Sequence, residues 1–174
     1  WAQKGLAQNA ESVLLKMHQA YQNGNEAAKP LTLSFNTVCN AWAKSRKDGS
    51  AERALSILNR METLRENGEQ YVKSDIFTYT SVIDALAKQG TKESARKAQD
   101  LLEMIEERYE TTQDPNIKPN IRTYTSVINA ISRSKIRPQE AEEILNRMEE
   151  KNKKIYDREI QLDVVCFNAV LNAW

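Results

Sequence analysis

Apolar residues recur three, four and seven positions after an aromatic at four places in the chain. They are Phe35-Val38-Cys39-Trp42, Tyr79-Val82-Ile83-Leu86, Tyr124-Val127-Ile128-Ile131 and Phe167-Val170-Leu171-Trp174. On an α-helix these offsets form one stripe, so each string predicts a helix with one face to bury. A second stripe of the same spacing opens on Ala: Ala10-Val13-Leu14-Met17, Ala54-Ile57-Leu58-Met61, Ala98-Leu101-Leu102-Ile105 and Ala141-Ile144-Leu145-Met148. The small Ala allows close approach of a partner helix. Asp48-Gly49-Ser50, Gln89-Gly90-Thr91 and Arg137-Pro138 break the pattern between a first helix and the second helix that follows it.

The pattern is a repeat. Thr78-Tyr79-Thr80-Ser81-Val82-Ile83 returns letter for letter at Thr123-Tyr124-Thr125-Ser126-Val127-Ile128, and Ile57-Leu58-Asn59-Arg60-Met61-Glu62 returns at Ile144-Leu145-Asn146-Arg147-Met148-Glu149. The aromatics Phe35, Tyr79, Tyr124 and Phe167 stand 44, 45 and 43 residues apart. A single hairpin cannot bury both of its stripes, whereas stacked neighbours can. The expected fold is therefore all-α: a right-handed α-solenoid of stacked antiparallel helix-turn-helix hairpins, with a repeat of 43–45 residues. One array is expected over 1–174. It would hold a lone second helix at 6–23, hairpins at about 32–66, 76–110 and 121–152, and a final first helix at 164–174. Both ends should expose apolar surface. The polar connections 67–74, 111–119 and 151–161 are expected to be the weak points for order and proteolysis.

Composition narrows the functions. The net charge of +1 makes the whole molecule no magnet for polyanions, so any nucleic-acid binding needs a local arrangement of charge. Cys39 and Cys166 both fall on helical stripes, and His18 is the one histidine, so neither a disulfide framework nor a metal site is expected. No apolar run approaches the length of a membrane span. The chain opens without an initiator Met and reads as a piece of a longer protein. His18 reads as a surface residue, and Glu106-Glu107 as solvated carboxylates on different faces. No catalytic constellation emerges, and the chain is expected not to be an enzyme.

The other face of each first helix is equally regular. Two residues before the aromatic stand Leu33, Phe77, Arg122 and Val165; one after it, Asn36, Thr80, Thr125 and Asn168. Five after it stand Asn40, Asp84, Asn129 and Asn172, and nine after it Lys44, Lys88 and Arg133. These offsets share one helix face. Asn and Thr are mediocre inside helices, and a merely solvated face would favour Glu, Lys and Gln. Small hydrogen-bonding groups beside a regular cation suit a polymer with phosphates and base edges. Asp75, Asp84 and Asp163 oppose Lys44, Lys88, Arg122 and Arg133, so phosphate attraction should be modest.

The strings Leu33-Ser34-Phe35-Asn36-Thr37-Val38, Phe77-Thr78-Tyr79-Thr80-Ser81-Val82, Arg122-Thr123-Tyr124-Thr125-Ser126-Val127 and Val165-Cys166-Phe167-Asn168-Ala169-Val170 resemble the unit opening of the pentatricopeptide repeat family. Lys118-Pro119-Asn120 resembles its unit ending; Lys73-Ser74-Asp75 and Gln161-Leu162-Asp163 do so without the Pro. The present units are longer than the family's usual one, with the extra residues in the second helix and its following loop. The resemblance implies single-stranded RNA binding at one base per repeat, as these repeats are known to do. It implies base-reading pairs of Asn36 with Asp75, Thr80 with Asn120, and Thr125 with Asp163, with Asn168 alone in the last unit. Leu33, Phe77, Arg122 and Val165 would then stack between bases, and Lys44, Lys88 and Arg133 would meet phosphates.

A carboxylate only accepts hydrogen bonds and so suits U or G, whereas an Asn amide also donates and suits A or C. Small Thr leaves room for a purine, and longer Asn favours a pyrimidine. The family pattern then reads 5′-U-A-G-pyrimidine-3′. The resemblance further implies a mitochondrial or plastid role in RNA processing, stability or translation. A second reading stays open: a protein-interaction scaffold using the long charged loops. The chain is expected to be a monomer, with no cofactor and no membrane partner.

Overall fold

The computed structural model describes residues 6–45, 47–155 and 162–174. Among these there are eight α-helices and no strand: α1 (Leu6–Gln22), α2 (Thr32–Lys44), α3 (Ser50–Glu66), α4 (Ile76–Gln89), α5 (Lys92–Thr112), α6 (Ile121–Ser134), α7 (Pro138–Ile155) and α8 (Val164–Leu171). The chain forms two compact units, one up to Ala85 and one from Leu86 onward.

In the first unit α2 packs between α1 and α3. The aromatic-led stripe of α2 is buried as the periodicity requires, with Phe35 and Cys39 fully enclosed and Val38 and Trp42 nearly so. Ala54 opens the stripe of α3 and is fully buried, followed by Ile57, Leu58 and Met61. On α1, Leu14 is buried but Val13 stands out in solvent. The Trp42 indole closes this packing by donating Nε1–H to Glu11 Oε2 at 2.9 Å.

In the second unit α6 packs against α5, α7 and α8, and α7 also meets α8. Tyr124, Val127, Ile128 and Ile131 are enclosed, and so are Ala98, Leu102, Ile105, Ala141 and Met148 from the second helices. On α8 the same stripe is partly open: Phe167 is 45% exposed where Phe35, Tyr79 and Tyr124 are at 0%. The turn between α4 and α5 needs Gly90, whose φ of +68° is a conformation that side chains disfavour.

The two tyrosines at the aromatic position carry a polar tip into the core, and each finds a carboxylate. Tyr79 donates its hydroxyl to Glu62 at 2.8 Å, and Tyr124 to Glu106 at 2.6 Å. Burial first, and the adjacent carboxylate second, push both phenols well above their ordinary pKa. Glu106 is also met by Arg147 at 2.7 Å and Lys151 at 3.1 Å. It is thus a buried, paired carboxylate rather than the solvated one expected from sequence, whereas Glu107 is exposed. His18 is a second correction: it is 7% exposed, on the buried face of α1, with no hydrogen-bond partner for Nδ1.

The connections are better anchored than their polar composition suggests. Val72 is fully buried inside 67–74, and Ile117 is 3% exposed inside 111–119. Thr32 at the start of α2 takes the Lys73 amide at 3.0 Å and donates to the Lys73 carbonyl at 3.1 Å. Tyr71 stands edge-on to Tyr21 with ring centroids 5.5 Å apart, and the Lys29 ammonium lies 4.3 Å from the Tyr71 centroid. Burial and the Glu69 charge raise the Tyr71 phenol to about 12. The third connection, 151–161, begins as the last turn of α7 up to Ile155, and the rest of it lies outside the described residues.

Candidate nucleic-acid interface

The residue four before each aromatic is where a first helix begins. Asp75 Oδ1 accepts the Thr78 amide at 2.8 Å, Asn120 Oδ1 the Thr123 amide at 3.1 Å, and Asp163 Oδ1 the Cys166 amide at 2.9 Å. All three are helix N-caps, satisfying an amide that the helix itself leaves unpaired. Asp and Asn therefore have a local folding reason to stand at these positions. Leu31, at the same place before α2, makes no such bond.

The residue after the aromatic belongs to a buried polar seam and not to a solvated face. Asn36 is 6% exposed, and its Nδ2 donates to both Asp75 oxygens, at 3.1 Å and 2.9 Å. Its Oδ1 accepts from the Thr78 hydroxyl, itself fully buried. Thr125 donates to the Ile121 carbonyl at 2.8 Å and meets Cys166 Sγ at 2.9 Å. Asn and Thr are short enough for one first helix to lie close to the next, and polar enough to bond across the gap. Thr80 is likewise buried on α4, whereas Asn168 on α8 is exposed.

The first unit thus brings Asn36 and Asp75 into direct contact. In the second unit Thr125 meets Cys166, whose amide Asp163 caps, so Thr125 and Asp163 are linked through that residue. The positions two before the aromatic are open to solvent: Leu33 at 75%, Phe77 at 45% and Val165 at 59%, with Arg122 also exposed. Exposed apolar side chains on the solvent side of a first helix have no folding reason of their own. Lys44, Lys88 and Arg133 are exposed in the last turns of α2, α4 and α6.

Sequence reasoning passed over the residue just before the aromatic (Ser34, Thr78, Thr123, Cys166), small and hydroxyl- or thiol-bearing in every unit. It also passed over Val72 and Ile117, although Ala28, Val72, Ile117 and Ile160 all stand seven before the aromatic. Both cysteines are buried and unbridged. Burial, and then the Asp75 charge, push the Cys39 thiol up to about 12, and burial raises Cys166, so neither is a ready nucleophile. Among the described residues no cluster of three His, Cys, Asp or Glu is placed to hold a metal ion. No helix among them is long and apolar enough to cross a membrane.

Helical hairpins with a repeated core and a repeated polar seam define a helical-repeat protein. Residues 77–108 match the family model described as a PPR repeat, and residues 109–154 match the one described as a pentatricopeptide repeat domain. Residues 77–154 thus carry pentatricopeptide repeats, and repeats of that family bind RNA. No curated protein and no solved structure matches it.

Proposed function

We propose that the chain binds single-stranded RNA sequence-selectively, one base per repeat, with the order 5′-U-A-G-pyrimidine-3′ read along the chain. The observation that carries this is the direct contact of Asn36 with Asp75, residues 39 apart in sequence. The pair offers a donor beside a carboxylate acceptor, which complements the ring N–H and carbonyl of uracil. Thr80 with Asn120 would take A, and Thr125 with Asp163 would take G. Asn168 would take a pyrimidine.

Leu33, Phe77, Arg122 and Val165 would lie against base faces, which is the use their exposure allows. Lys44, Lys88 and Arg133 would meet phosphates. The array is proposed to act as a monomeric, non-enzymatic binder in mitochondrial or plastid RNA processing, stability or translation.

The test is the double substitution Asn36→Thr with Asp75→Asn, titrated with UAGC and AAGC single strands. The unsubstituted chain should favour UAGC. The variant should favour AAGC, a swing of about tenfold or more in relative affinity for hydrogen bonds to a charged group. Equal affinity for both RNAs before and after substitution would leave RNA binding without this base assignment. Binding of neither, together with salt-resistant binding of a protein to the loops, would leave the scaffold.

A further inference from the structure

We infer that Thr78 is a positioning residue for base selection: its hydroxyl fixes which way round the Asn36 amide stands, and so fixes the hydrogen-bonding pattern that Asn36 and Asp75 offer together. This rests on the reading of Asn36 and Asp75 as a base-reading pair. Thr78 is fully buried and two helices further along the chain, on α4 rather than α2.

The bonding leaves one consistent assignment. Asp75 Oδ1 already accepts from the Thr78 amide at 2.8 Å and from Asn36 Nδ2 at 3.1 Å. Thr78 Oγ1 lies 2.9 Å from the same oxygen, and it also accepts the Asp75 amide at 3.2 Å. A hydroxyl has one proton to give. If Thr78 gave it to Asp75, Asn36 Oδ1 would face the Thr78 lone pairs in a buried contact with no proton between them. Given to Asn36 Oδ1, every polar atom of the trio is satisfied. The amide oxygen is then held inward, and the amide nitrogen lies against the carboxylate. Without the hydroxyl, a buried Oδ1 would lack a partner, and only the two bonds to Asp75 would hold the amide, so its orientation would loosen. A loosened pair would discriminate less against the amino group of cytosine.

The second unit repeats the arrangement with different chemistry. Cys166 occupies the Thr78 position on α8 and meets Thr125 Oγ1 at 2.9 Å. Either atom can donate there, and Thr125 also bonds the Ile121 carbonyl at 2.8 Å. A thiol is a weaker donor and a weaker acceptor than a hydroxyl, so the hold on Thr125 is looser. At Thr78 and at Cys166 the residue before the aromatic thus reaches back to the reading residue of the preceding repeat.

The experiment compares UAGC with CAGC binding to the chain and to Thr78→Val, Thr78→Ser and Thr78→Cys, with helicity and thermal unfolding recorded for each. Thr78→Val should lower the preference for U over C by roughly three- to tenfold, the worth of one hydrogen bond. Thr78→Ser should restore it, and Thr78→Cys, the residue already present at Cys166, should fall between. If Thr78→Val unfolds, the Ser and Cys pair still orders the donors. An unchanged U-to-C ratio in Thr78→Val or Thr78→Cys, alongside a shifted preference in the Asn36→Thr, Asp75→Asn variant, would overturn the positioning role and leave the reading pair intact. A chain with no U preference, and no shift in that double variant, would overturn both.

Discussion

His18 shows what a single side chain contributes when an apolar helix face encloses it. Burial, and then the Arg60 charge, hold its pKa below the ordinary value, with Glu69 opposing. The unfolded chain titrates near pH ~6.5. Above that value the ring is neutral in both states, and His18 adds no pH dependence. Below it the unfolded chain takes up a proton that the folded chain refuses. Stability then falls, by at most ~1.4 kcal/mol per pH unit for one proton, until the lowered folded value is passed. Thermal unfolding from pH 7.5 to 5 should show this loss in the unsubstituted chain, and His18→Gln should flatten it. Parallel melting curves for the two proteins would mean that the buried ring titrates normally.

At the scale of the element, Asp75 does two things that substitution separates. It caps α4 through Oδ1, and it holds the Asn36 amide through both oxygens. Ser also caps a helix well, whereas Ala does not, and losing a cap costs about 1 kcal/mol. Both variants lose the Asn36 contact, so Asp75→Ala, which also loses the cap, should melt below Asp75→Ser. Both lack the carboxylate, so both should lose the preference for UAGC over AAGC. If Asp75→Ser keeps that preference, the residue is a cap and nothing more. The same distinction bears on what the sequence revealed. Asp and Asn before the first helices were legible as regular positions. Their capping role went unread, although an Asx residue standing just before an apolar-periodic run signals it. The buried seam was not legible, because Asn36 and Thr125 look like solvated residues until the next first helix is laid beside them.

At the scale of the molecule, a net charge of +1 sets the expectation for RNA affinity. Three phosphate contacts from Lys44, Lys88 and Arg133 would release about 0.7 counterions each. The logarithm of affinity should then fall with the logarithm of salt at a slope of about −2. Changing all three to Gln should bring the slope close to zero with the base preference retained. A steep slope that survives those changes would place the phosphate contacts elsewhere.

The amino-acid sequence by itself determined the helices, their repeat and the buried stripes of α2, α4 and α6. A stripe of apolar residues at helical spacing has one physical outcome, and Gly, Pro and Asx residues mark where it starts and stops. The fully enclosed Phe35, Tyr79 and Tyr124, and the fully buried Ala54, Ala98 and Ala141, follow from that pattern directly. Tertiary structure alone decided which polar side chains meet across helices. Asn36 joins Asp75 and Thr78, Glu106 joins Tyr124, Arg147 and Lys151, and Val72 pins a connection that reads as polar. Those contacts join residues of different helices and connections. Local spacing fixes which face a side chain occupies, but only the packed neighbour fixes its partner.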